Sequence, residues 1–403
     1  MTRLDADVLV VGAGPAGSAA ARVLAAAGLH VVLVDRHAFP RDKICGDALI
    51  PDALQALDAL GLRERVLRAA HAVQSVRVYS PESRYAAIRG DCACLPRTVL
   101  DELLRQSAVA EGARFLAPLR AVSPIEVDGV VNGARLEDPR SRSGIEVRAP
   151  ATILATGAAA DVLRRFGMCL RARPSATAAR CYVRVPPGVA AAHDNLVISY
   201  ESVICPGYGW IFPGPDGTFN VGIGYVYDGP SPTERNVRRL LDRFLAVFPP
   251  AAALMRHALD VTPLKGAPLR TAMRGARTSR PGLFVVGEAA GLTYSFTGEG
   301  IGKALQSGIL AARILVETRG RTREHLQLMA DAFTRRLHAD YGARFRAYAR
   351  LQSWMAHPAI ANLLVRRANR GRYVRSQLEA LLNETGPPDG LLSTGGIIRA
   401  LLT

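Results

Sequence analysis

The residues Gly12-Ala13-Gly14-Pro15-Ala16-Gly17 form a G-x-G-x-x-G turn, and the spacing suits a phosphate. Gly12 permits the tight turn, Gly14 lets the backbone approach a pyrophosphate, and Gly17 lets a helix pack close to a strand. A helix opening at such a turn points free N–H groups and its positive dipole end at the anion. Asp35, ending the next apolar run, can accept hydrogen bonds from a ribose diol. Together these residues predict a bound dinucleotide.

A second group could act on a substrate. Tyr208, Trp210 and Phe212 alternate, which puts three aromatic rings on one face of a strand. Such a face is either a wall over a ligand or a sheet core, and the flanking Gly207, Gly209, Pro213 and Gly214 argue for an irregular strand beside a site. Asp47 is a candidate acid/base, with an ordinary turn carboxylate as the other reading. The cysteines Cys45, Cys92, Cys94, Cys169, Cys181 and Cys205 lack the paired spacing of a zinc site, so no metal is expected. Cys92-Ala93-Cys94 is too tight for an ordinary disulfide, and reduced thiols in a cytoplasmic protein fit best.

The elements that must position these groups are readable. Asp7 to Val11 and His30 to Val34 read as buried parallel strands, and Ser18 to Ala27 as the helix between them, stopped by Gly28. Pro96 to Ala113 reads as a helix, Ala149 to Leu154 and Leu283 to Val286 as strands, and Gly298 to Glu317 as a second site helix. From Arg171 to Leu264 the pattern is β-type with Gly and Pro turns, interrupted by one helix whose start is signalled by Ser231-Pro232-Thr233-Glu234. Ala330, Phe333, Leu337, Tyr341, Phe345 and Tyr348 form an apolar stripe in a helical tail. The predicted division is 1–170 with 265–318 as one discontinuous nucleotide domain, 171–264 as a β-rich substrate domain, and 319–403 as helices. Gly386 to Thr403 receives no assignment.

Composition bounds the rest. The 403 residues are 49% hydrophobic and 21% charged, a globular composition that excludes disorder. The uncharged run Val8 to Ala21 is short of the about 20 residues a membrane span needs. Asp5 and Asp7 stand where a signal peptide would be positive, so a cytoplasmic protein is expected. The net charge is +16, without basic runs or a nucleic-acid motif, so nucleic-acid binding is not expected. Anionic ligands or a membrane surface are better uses for the charge, 13 Arg against 6 Asp and Glu lying from Arg321 onward.

Three stretches make the chain resemble flavoproteins of the p-hydroxybenzoate hydroxylase fold, and within them the geranylgeranyl reductase family. They are Asp7 through Asp35-Arg36, Pro40-Arg41-Asp42-Lys43-Ile44-Cys45-Gly46-Asp47, and Gly287 to Gly308 (GEAAGLTYSFTGEGIGKALQSG). The segment Pro206 to Gly224 resembles the family's Y-x-W-x-F-P element. The resemblance implies an α/β fold with a discontinuous Rossmann-type FAD-binding domain, a β-sheet substrate domain and C-terminal helices. It implies FAD as cofactor. Arg36 and Gly46 belong to the cofactor-facing stretches, and Arg97 would lie near the FAD phosphates or flavin. Glu288, after Gly287, would reach the ribityl hydroxyls. Gly298, Gly300 and Ile301 would place a helix N-terminus by the flavin. Cys45 would face the flavin as a proton donor or substrate gate, with a packed, inert thiol as the other reading. Tyr294, Phe296 and Thr297 would close the cavity, and Glu299 is either a helix cap or a catalyst.

The resemblance implies an FAD-dependent oxidoreductase that reduces C=C bonds of a prenyl or other apolar substrate. The alternative is a monooxygenase hydroxylating an aromatic or natural-product substrate through a C4a-hydroperoxide. Halogenases of this fold carry W-x-W-x-I-P, from which Tyr208 and Phe212 depart. A flavin-binding accessory protein is a third option. Thr156-Gly157-Ala158-Ala159-Ala160 departs from the Asp-Gly motif of the hydroxylases, so the electron donor stays open between NAD(P)H and a donor protein. The basic, apolar tail helices dock on the core, cover a lipid-like substrate or touch an anionic membrane.

Overall fold

Val8–Val11 and Val31–Val34 are fully buried runs of branched side chains, which suits a parallel sheet covered on both faces. They sit mid-sheet, Val10 paired with Leu33 on one side and Ile153 on the other, with Leu283–Val285 beyond. The computed structural model describes residues 2–227, 236–318, 320, 322–386 and 389–402. Helix α1 (Pro15–Ala26) starts three residues before the expected Ser18. Proline serves well at a first helical position, because no partner waits for its missing N–H there. Helices α2 (Pro51–Ala59) and α3 (Arg97–Ala110) follow, and much later α4 (Ile301–Glu317) crosses α1 closely. A Cβ on Gly308 would overlap the Ala16 carbonyl.

The strand Tyr208–Pro213 lies in a larger sheet, antiparallel to Thr218–Val226 and to Leu196–Ser199. Four of this sheet's strands cross the expected division, the short Ala48–Leu49 pairing with Tyr85–Cys94 among them. His71–Tyr79, hairpinned with Tyr85–Cys94, pairs in parallel with Leu196–Ser199, although it comes from the segment 1–170. Lys265–Leu269 pairs with Ala176–Arg184 from beyond residue 264. Backbone pairing decides membership here, and it joins residues far apart in the chain.

The helix start expected at Ser231 to Glu234 lies outside the described residues. The helix found there is Val237–Val247, capped by Asn236, whose side chain accepts the Arg239 N–H at 3.2 Å. The tail holds α5 (Arg323–Met355), α6 (Pro358–Arg370), α7 (Arg372–Leu382) and α8 (Thr394–Leu402), the last in the unassigned segment. The α5 stripe is buried except for the half-buried Tyr341. Val365, Ala368 and Val374 of α6 and α7 pack on Ala86 and Ile88 of the hairpin. No helix among the described residues is long and apolar enough to cross a membrane.

Candidate active site

A cavity of about 770 Å³ runs from the glycine turn to the aromatic strand. At its polar end the turn is locked by close approach. Gly12 has φ +105°, and a Cβ there would overlap the Ala155 carbonyl; one on Gly17 would overlap the Gly12 carbonyl. Gly14, Pro15 and Ala16 line the cavity where α1 begins. Asp35 lines it too and also ties the turn together. Its Oδ2 accepts the Ala13 N–H and its Oδ1 the His37 N–H, both at 2.9 Å. Arg36 and Arg41 stand beside it.

Asn220, which the sequence reading missed, organises the other end. Its Oδ1 accepts the Trp210 indole N–H at 2.9 Å, and its Nδ2 donates to the Cys45 carbonyl and to Asp47 Oδ2, each at 2.7 Å. Trp210 stacks on Phe212 at 6.2 Å, and Tyr208 donates to the Thr297 carbonyl at 2.7 Å, so the three rings form one wall. Gly46 is needed beneath that wall: a Cβ there would lie 2.8 Å from the Phe212 ring. One signal for Asn220 was present, a polar amide inside the apolar strand Thr218–Val226.

Asp47 is buried, with φ +69°. Burial pushes its carboxyl up to about 6, against the hydrogen bonds from Tyr182 and Asn220 and the charge of Arg97. The Tyr182 hydroxyl donates to Oδ2 at 2.6 Å, and only the Arg97 N–H, at 3.3 Å, reaches Oδ1. Arg97 lines the cavity, and its guanidinium forms a bidentate pair with Asp101 at 2.7 and 2.9 Å beside Cys45. Burial disfavours its charge, yet Asp101 and Cys45 outweigh burial and raise its pKa. Arg41 adds a second cation on Asp101 at 3.1 Å. Arg97 is thus anchored beside the Cys45 loop on the cavity wall, and its pair with Asp101 leaves the Nη1 donors uncommitted.

Glu288, Gly298, Gly300 and Ile301 line the middle of the cavity. Gly298, at φ +67°, leaves room only for the Tyr208 hydroxyl. Gly17 packs beneath the turn on Gly12 rather than lining the cavity, and three more expected residues sit elsewhere. Gly287 lies behind the wall, its N–H donating to Ser307 Oγ at 2.9 Å and its Cα packed on Ala16. Tyr294 is fully buried outside the cavity, ringed by Phe345 and Tyr348 at 4.6 and 4.3 Å, and its hydroxyl donates to Glu384. Phe296 stacks on Tyr200 behind Tyr208. Both rings gain more aromatic contact there than a cavity wall offers. Val76, Leu196, Ile198 and Leu382 supply the apolar wall instead. Glu299 caps α4, its Oε1 accepting the Gly302 N–H at 2.7 Å.

Residues 5–339 match a family model described as an FAD binding domain. The chain belongs to this family. This FAD-binding protein is 32% identical to a menaquinone reductase of Mycolicibacterium smegmatis over 77% of its length and 76% of the relative's. It is 29% identical to a digeranylgeranylglycerophospholipid reductase of Thermoplasma volcanium over 77% of its length and 78% of the relative's. In fold it is similar to a geranylgeranyl bacteriochlorophyll reductase-like protein of Thermoplasma acidophilum, with TM-score 0.78, 24% identity, and 99% and 96% of the two chains covered. A flavin-dependent brominase shares the fold at TM-score 0.75 and 19% identity, with 99% and 98% covered. The resemblance read from the sequence and its p-hydroxybenzoate hydroxylase-like fold are thereby borne out, and the protein is an FAD-dependent oxidoreductase.

The cavity fits FAD on its own terms. Beyond the pyrophosphate turn, Glu288 Oε1 and Thr156 Oγ1 are buried on the cavity wall with no partner. Buried polar atoms of that kind call for a ligand's hydroxyls or amides.

Proposed function

We propose that this protein saturates a C=C bond of a prenyl or other apolar substrate. The observation that carries the reading is the continuity of one cavity, in which a polar FAD end passes into an apolar end with Cys45 and Asp47 at the junction. The reductase names of its relatives support it. FAD, once reduced, supplies the hydride that one alkene carbon takes up.

The chain's own residues do the rest. The glycine turn and Asp35 hold the dinucleotide, and Glu288 and Thr156 hold its middle. The aromatic wall and Val76, Leu196, Ile198 and Leu382 exclude water and orient an apolar chain. Asp47 would donate the proton from Oδ1 to the other alkene carbon, completing a two-electron reduction of the substrate. Cys45, beside Arg97 and held at its carbonyl by Asn220, keeps the loop in place.

Anaerobic turnover with prenylated quinones and polyprenyl lipids tests this directly. A product heavier by two hydrogens supports reduction, whereas no anaerobic product together with an oxygenated product in air overturns it in favour of the monooxygenase. NADPH, NADH and dithionite, supplied in parallel, identify the donor that the chain accepts. The six cysteines all stand free of disulfides, which supports placing the protein in the cytoplasm.

A further inference from the structure

Behind the cavity, at the start of α4, charged side chains gather away from water. Lys303 is 1% exposed. Its ammonium lies 2.8 Å from Glu384 Oε2, 3.1 Å from Asp52 Oδ2 and 3.0 Å from Gln306. Asp52, on α2, is as deeply buried, and neither of its oxygens has a hydrogen bond. Glu384 follows α7 and also accepts the Tyr294 hydroxyl at 2.9 Å, with Arg344 of α5 at 3.9 Å. Tyr294 and Tyr341 place their rings 5.6 and 5.3 Å from the ammonium. Glu299 completes the set. It is 8% exposed, it lines the cavity between Gly298 and Gly300, and its Oε2 is buried without a partner.

Three carboxylates thus face two cations, Lys303 and Arg344. One acid must keep its proton for the cluster to be neutral, since an uncompensated buried charge costs several kcal/mol. Glu384 has Lys303, Arg344 and Tyr294; burial raises the Asp52 carboxyl as well, but Asp52 has the Lys303 ammonium 3.1 Å away, whereas Glu299 Oε2 has neither a donor nor a cation at contact distance. Burial, reinforced by Asp52, pushes the Glu299 carboxyl well above its ordinary value. A helix start carries roughly half a positive charge, which a full carboxylate at its cap would more than cancel.

We propose that Glu299 stays protonated at the cavity end of α4, and that Asp52, Lys303 and Glu384 form with it a charge-balancing cluster that lets the site favour reduced, anionic FAD over oxidised FAD. Glu299 and Lys303 are positioning residues in this scheme. It rests on FAD occupying the cavity and not on which substrate is reduced.

The full-length protein loaded with FAD provides the test, with no substrate present. At pH 8, where Asp47 with its pKa of about 6 is ionised, the infrared spectrum shows a protonated carboxyl stretch that Glu299→Gln abolishes. Spectroelectrochemistry finds the ratio of oxidised to reduced FAD dissociation constants unchanged within about twofold in Glu299→Gln, since a neutral group replaces a neutral group. Lys303→Gln lowers that ratio about tenfold, equivalent to about 30 mV for a two-electron couple. The proposal is overturned by an infrared band that survives Glu299→Gln, or by a tenfold rise of the ratio in that variant, which would mean an ionised acid had been removed. A ratio unchanged in FAD-loaded Lys303→Gln overturns the balancing role. Should Lys303→Gln fail to fold, the two Glu299→Gln measurements decide the matter.

Discussion

Asn220 donates its amide to Asp47 Oδ2 at 2.7 Å while its carbonyl holds Trp210, so one side chain joins the acid to the aromatic wall. Removing it unpartners a buried indole N–H and takes a donor from the Asp47 carboxylate. Asn220→Ala should cost roughly 1–3 kcal/mol of stability, as for other orphaned buried groups, and raise the Asp47 pKa. Thermal melting and the pH profile of turnover check the two effects separately.

Asp47 predicts a direction with pH. Its folded-state pKa of about 6 lies above the ordinary 3.8, so the folded chain binds this proton more tightly than the unfolded one. The stabilisation is complete below the ordinary value and is lost as pH rises through about 6. Melting temperature should fall across that window in the protein without FAD, and less steeply in Asp47→Asn. Turnover should fall above the same pKa as the acid empties, and Asp47→Asn should lose roughly 10²–10⁴-fold in kcat.

Cys45 lies beside Arg97, which is itself anchored on Asp101, and its carbonyl accepts the Asn220 amide. Cys45→Ser should slow turnover at least about tenfold while the FAD affinity measured by fluorescence titration stays within a factor of about two. Wild-type turnover in this variant would remove the thiol from the mechanism.

Gly17 has no space for a methyl group against the Gly12 carbonyl. Gly17→Ala should cost roughly 1–3 kcal/mol as an overpacked contact, and FAD affinity should fall with it. Tight FAD binding by a folded Gly17→Ala protein would place the pyrophosphate elsewhere.

The tail exposes Leu363, Ile397 and Ile398, and Arg370 and Arg372 are exposed as well. We propose contact with an anionic bilayer there. Cosedimentation with phosphatidylserine vesicles, weakened by salt and absent with phosphatidylcholine alone, is the expected result. Equal recovery with both lipids would contradict it.

What the sequence disclosed was whatever a short spacing encodes. The glycine turn, Asp35 and the Tyr208-Trp210-Phe212 alternation need only a few neighbouring residues to announce themselves, and Gly12, Gly14, Asp35 and the three rings line the cavity. Tyr182 and Asn220 meet Asp47 only because strands more than a hundred residues away in the chain pair beside its loop. The hairpin His71–Cys94 escaped because its polar residues break the apolar pattern that marks a buried strand. Tyr294 misled for the opposite reason: its neighbours in sequence face the cavity, but its side chain turns toward α5.

Leu382, which closes the apolar end by packing over Gly90, comes from beyond residue 339, where the family match stops. One wall of the cavity's apolar end is therefore carried outside the segment that matches the cofactor-binding family, while Val76, Leu196 and Ile198 lie inside it. Exchanging the final helices would move that wall alone and leave the glycine turn and the Asp47 loop untouched.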